Sequence, residues 1–115
     1  MLTVHHANAV LVIAVCVLAG GTALWARRRG ASGWTAHLIA LAQTLVVAQV
    51  GLGFLLLADH KRAADRLHYA YGSFALLAVF APWLYAPDDP RKRLAWFAGA
   101  TLLAAALAVR AYMTA

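Results

Sequence analysis

Two stretches of this chain set a histidine in the same surroundings. "VHHANA", Val4 to Ala9, and "LHYAYG", Leu67 to Gly72, both read as an aliphatic residue, a histidine (His5 or His68), an aromatic residue or second histidine, an alanine, a larger residue and a small one. Each stretch opens a long apolar run, where leucine would enter a bilayer at lower cost than imidazole. An imidazole in such a place ligates a metal, meets a buried polar partner, or keeps a wet edge at the membrane interface. The small residue four positions on, Ala9 or Gly72, lies on the same helical face one turn deeper. A flat ligand beside each histidine would find room there.

The elements that must position these residues follow from composition. The chain is 64% hydrophobic and 12% charged, against roughly 45–50% and 25% in soluble domains. Four apolar runs have the length needed to cross a hydrocarbon core: Val4 to Trp25, Trp34 to Ala58, Leu67 to Tyr85 and Leu94 to Met113. Nothing is left over for a soluble domain. The connections "ARRRGASG", "DHKRAADR" and "APDDPRKR" collect charges and turn formers, and their shortness makes successive helices antiparallel. Pro87 and Pro90 end one helix and lead into the next, whereas Pro82 sits inside the third run as a structural kink. The predicted fold is an all-α, single-domain, up-and-down bundle of four transmembrane helices spanning residues 1–115.

Orientation follows from Lys and Arg near the span ends. Arg27, Arg28, Arg29, Arg91, Lys92 and Arg93 follow runs one and three, against Lys61, Arg62 and Arg66 after run two. This asymmetry predicts both termini outside, in a multi-pass protein of the plasma (inner) membrane. The first run has no Lys or Arg ahead of it, which reads as an uncleaved span rather than a signal peptide. The net charge of +6 is accounted for by topology and lipid headgroups, not nucleic acid. Cys16 is the single cysteine; it excludes a disulfide framework and reads as a small core residue. No Asp, Glu or Lys lies deep in a span, which argues against a transporter pathway.

In this fold runs one and three enter from the same side as diagonal partners. With neighbouring axes about 8–10 Å apart, the diagonal is roughly 11–14 Å, a gap that two inward-pointing imidazoles and one metal ion span. Two facing histidines, small residues beside them and an apolar sleeve are what bis-imidazole ligation of a porphyrin iron needs. The heme propionates would meet Lys61, Arg62 and Arg66 at the rim. His6 and His60 share that side and are alternate ligands, and the histidines also suit a Zn or Cu ion. His37, beside Trp34, reads as interfacial. Gln43 and Gln49 are buried amides that need partners inside the bundle; six residues apart, they point to different faces. Every element also has a plainer reading: interfacial histidines, glycines that allow close helix packing (Gly72, Gly51, Gly53), and basic residues solvated among headgroups.

The chain resembles the heme A synthase family. The likeness lies in a first helix opening with His ("VHHANAVLVIAV"), a following helix carrying "QVGLG", Gln49 to Gly53, and a helix opening with Leu-His ("LHYAYGSFALLAVF"), which together cover about two-thirds of the sequence. It implies a heme held by two histidines near the outer face, with His5 and His68 as ligands, His6 where a basic residue would stand, and Gln49 and Gly53 close by. The synthases look like two fused four-helix halves with acidic outer loops, whereas this chain is one half in length and has no Glu. The run after Leu94 has no clear counterpart in the family. The expected function is therefore binding of heme b, for electron transfer or heme handling linked to respiration, rather than complete heme A synthesis. The alternative is a cofactor-free scaffolding subunit whose Ala- and Gly-rich faces dock in a larger respiratory membrane complex; a homodimer is compatible with either reading.

Overall fold

A computed structural model describes residues 2–29 and 33–114, without the side chain of Arg29. Four helices follow in order, α1 (Leu2–Arg29), α2 (Gly33–Ala58), α3 (Leu67–Tyr85) and α4 (Pro90–Met113). The turn Gly30 to Ser32 within "ARRRGASG" lies outside the described residues.

The third helix has the bounds its apolar run predicts; the first and last are longer. α4 starts at Pro90 rather than Leu94, because proline costs nothing at a first helical position and Asp89 caps it. The Asp89 carboxylate accepts the Lys92 N–H at 3.1 Å. Ahead of it, α3 stops at Tyr85, and Ala86 is extended (φ −64°, ψ 138°), as a residue before proline must be.

The end of α2 closes by backbone alone. The Lys61 N–H reaches the Leu56 carbonyl at 2.9 Å and the His60 N–H reaches Leu57 at 3.0 Å. His60, between them, has φ 61°. This is the Schellman closure, whose left-handed position favours glycine. His60→Gly is therefore expected to raise stability by about 1 kcal/mol, since the Cβ penalty of the left-handed region disappears; a lowered thermal midpoint would contradict this.

α4 is the hub of the bundle, packing broadly on α1 and α3; α1 also packs on α2, the α2–α3 seam is narrow, and the backbones of α1 and α3 make no close approach. The diagonal relation expected of α1 and α3 is thus present. Small residues fill the centre: Cys16, Ala19 and Ala23 of α1 and Ala98 and Ala104 of α4 are fully buried. At Gly20 a Cβ would sit 2.5 Å from the Leu102 Cγ and 3.3 Å from the Ala98 carbonyl oxygen, so the backbones of α1 and α4 approach closely there.

Large apolar side chains cover the outside, among them Leu18, Trp25, Leu77 and Leu84. All four helices are long and apolar enough to cross a bilayer. Helices that are apolar all round are solvated by lipid, and the chain is a multi-pass membrane protein.

Pro82 is buried inside α3. Lacking an N–H, it deprives the Ala78 carbonyl of its helical partner. On the next carbonyl, that of Val79, the Gln43 amide donates across from α2 at 3.5 Å. A neighbouring helix thus supplies polar contact where proline loosens the ladder, and the first of the two buried amides has a structural task.

Candidate functional site

The start of α1, the end of α4 and the α2–α3 turn meet at one end of the bundle. The Asp65 N–H donates to the Thr114 carbonyl at 3.3 Å, and the rings of His6 and Tyr112 lie 6.0 Å apart. Under this cover is a cavity of about 350 Å³. Its wall is largely apolar, with Val12, Val46, Leu56 and Ala75 among its members.

His5 of α1 and His68 of α3 face each other across it. Their ring centres are 6.1 Å apart with planes inclined by 71°. The backbones of the helices that carry them make no close approach, and the two imidazoles reach across the diagonal.

Each histidine is held differently. His68 Nδ1 lies 2.7 Å from the Ala111 carbonyl oxygen, an acceptor in the last turn of α4 that also takes the Thr114 N–H at 3.2 Å. A carbonyl only accepts, so Nδ1 carries the proton and, in the neutral ring, Nε2 keeps its lone pair. His5 is 6% exposed. Its Nε2 lies 3.4 Å from the Gln49 amide nitrogen, and its Nδ1 is buried with no hydrogen-bond partner. Behind Gln49 stands Asn8, whose amide donates to the Gln49 Oε1 at 2.9 Å and to the Leu45 carbonyl at 3.2 Å.

Of the residues singled out by sequence, the structure gathers His5, His6, His68, Ala9, Gly72, Gln49, Gly53, Lys61 and Arg62 around this one cavity. A Cβ added to Gly72 would meet nothing within 4 Å, and one on Gly53 would rest 3.6 Å from the His5 ring. The glycine next to the proposed ligand therefore leaves open space. Arg66 and His60 are exposed and lie outside the lining. Gln43 and Gln49 do serve separate contacts, one on α3 and the other on α1.

Asn8 was not legible as a site residue, although an amide three positions past His5 in an apolar run is a signal of its own. The Ala111 carbonyl could not be found by residue type at all, because every residue carries one. Tyr69 is a third addition: its hydroxyl accepts the Ala63 N–H at 2.9 Å, pinning the turn that carries Lys61 and Arg62.

Compared with models of known protein families, with characterised proteins and with solved structures, the chain has no match. Its chemistry is read from its own residues. Among the described residues no three His, Cys, Asp or Glu side chains converge as a metal-binding set; the site offers three imidazoles, of which His5 and His68 are the pair from diagonal helices, with an apolar wall and two cations, Lys61 and Arg62.

Proposed function

We propose that the protein holds a heme b between His5 and His68, at the outward-facing end of a small plasma (inner) membrane protein, for electron transfer or heme handling linked to respiration. The observation that carries this reading is the 6.1 Å separation of the two rings. Two imidazoles on opposite sides of one metal ion place their ring centres about 6 Å apart, given metal–nitrogen bonds of about 2.0–2.1 Å and roughly 1 Å from nitrogen to ring centre. The separation suits one metal atom between the rings.

The number of donors favours a macrocycle over a bare ion. Zinc and copper sites draw three or four ligands from protein; His5, His6 and His68 all line this cavity, but among the described residues no three donors converge on one point. A porphyrin iron brings four equatorial nitrogens and needs only the axial pair.

The chain's own parts fit that group. His68 is fixed with Nδ1–H on a carbonyl, the arrangement that orients a ligating imidazole and raises its basicity. His5 brings a buried ring whose contact to Gln49, at 3.4 Å, is long and readily exchanged. Ala9 and Gly72 keep the space beside the rings clear, and Lys61 and Arg62 stand where carboxylates would emerge. When bound, a heme would supply one-electron redox chemistry, and His5 and His68 would hold it.

Purified in mild detergent, the protein is expected to titrate with hemin to one equivalent, giving a six-coordinate low-spin b-type spectrum in oxidised and dithionite-reduced forms. His5→Ala should remove that spectrum, whereas His6→Ala should leave it. Gly72→Leu fills the open space and should block binding with the fold retained. A wild-type protein that stays colourless after hemin titration would sink the heme reading and favour a cofactor-free docking subunit.

A further inference from the structure

The hydrogen-bond chain behind His5 has only one consistent polarity. The Leu45 carbonyl is an acceptor whatever else changes, and Asn8 approaches it at 3.2 Å. An amide oxygen turned that way would set two acceptors against each other, so the NH2 group of Asn8 must face Leu45. That same NH2 lies 2.9 Å from Gln49. It therefore faces the amide oxygen, which turns the Gln49 NH2 toward His5 Nε2, 3.4 Å away. A nitrogen that meets an N–H donor must offer its lone pair, and the proton of the neutral ring is left on Nδ1.

From this we infer that Asn8 is a positioning residue: anchored on the Leu45 carbonyl and acting through Gln49, it holds His5 as the Nδ1–H tautomer with Nε2 unprotonated and accepting from the Gln49 amide, a 3.4 Å contact that a ligand must displace. His68 is brought to the same tautomer from the opposite side by the Ala111 carbonyl. Two different devices, an amide relay and a helix-end carbonyl, give both facing rings an unprotonated Nε2. The two ring centres lie 6.1 Å apart, and an unprotonated Nε2 on each ring is the chemical state that bis-imidazole ligation requires. A link to ligation rests on the heme reading; the tautomer assignment does not.

The relay reaches beyond residues that touch the ligand space. Asn8 is absent from the cavity wall, while Gln49 and both histidines form part of it. Without Asn8 the Gln49 amide is free to turn over and present its oxygen to His5, which would draw the proton to Nε2. Ligation is open to the fraction of molecules with Nε2 bare, so apparent affinity falls in proportion to that fraction.

The test uses the full chain in micelles with ring-15N histidine, at a pH well above the ~6.5 of a free imidazole. In the wild type, long-range 1H–15N correlations should show His5 and His68 both as Nδ1–H tautomers. In Asn8→Leu, His5 should become a mixture while His68 stays unchanged, which also reports that the bundle is intact. Asn8→Ser, too short to bridge Leu45 and Gln49, provides a second variant should leucine disturb folding. Hemin affinity should drop by about twofold to fivefold in either variant, with the low-spin spectrum kept, as partial loss of the competent tautomer demands. The inference is overturned by a wild-type His5 protonated on Nε2, or by variants whose His5 tautomer matches the wild type. A tautomer shift in a protein that binds no hemin would uphold the relay and reject the heme assignment.

Discussion

Hemin added to the His68→Ala protein is expected to give no six-coordinate low-spin spectrum, with affinity lowered by at least about 100-fold, the upper end of what removing even an outer partner of a metal ligand costs. The variant loses two things at once. The axial nitrogen goes, and the Ala111 carbonyl forfeits its 2.7 Å donor. A plain reading of His68 as a peg for the end of α4 would also predict damage, so alanine alone does not separate the two roles. His68→Asn does. Its side-chain amide can donate near the position of the imidazole Nδ1 yet carries no nitrogen lone pair for a metal. Thermal stability is expected to recover in His68→Asn while the low-spin spectrum stays absent. A His68→Asn protein that binds hemin like the wild type would remove His68 from the ligand pair.

The largest effect on stability is expected at Gly20. Adding a Cβ there drives it to 2.5 Å from Leu102 and 3.3 Å from the Ala98 carbonyl oxygen. The Leu102 side chain can rotate, but the Ala98 backbone can yield only if α1 and α4 separate. Overpacking of this kind costs typically about 1–3 kcal/mol, outweighing the ~1 kcal/mol by which alanine is the better helix former. Gly20→Val, with two further methyl groups, should exceed Gly20→Ala. The adjacent Gly21 is the control, because a Cβ there meets nothing within 4 Å. Gly21→Ala is expected to be neutral or stabilising by up to about 1 kcal/mol. Denaturation midpoints of the three variants check the order; a Gly20→Ala protein as stable as Gly21→Ala would show that the α1–α4 contact is looser than its geometry.

Sequence carries the fold of this chain well because lipid imposes a simple rule. Every backbone group must be satisfied inside its own helix, so length and apolarity alone announce Leu67–Tyr85 and its three companions. Short turns then make α1 and α3 diagonal, and the matching contexts of His5 and His68 bring them to one depth. Finer features escape because they depend on backbone atoms or on partners remote in sequence. α4 begins at Pro90, within what reads as a charged turn, since a cap and a proline suffice to start a helix. His60 reads as a rim imidazole but is the left-handed residue that ends α2. Arg66 belongs to the same basic stretch as Lys61 and Arg62, yet it stands at the first turn of α3, exposed and clear of the cavity. The breadth of the α1–α4 seam is written in alanines and one glycine, residues that look alike on every face until the helices are docked.

That seam has a bearing on how the protein comes into being. The helix that α1 packs against most broadly leaves the ribosome after α2 and α3, so during synthesis the face of Ala19, Gly20 and Ala23 must wait in lipid. His5 and His68 are both in the bilayer by then. The chamber between them is not, since Ala108, Ala111 and Tyr112 of α4 form part of its wall. Loading of any occupant must therefore follow the insertion of α4. A polypeptide cut short before α4 would keep both histidines, and would have neither the missing wall nor the carbonyl that fixes His68.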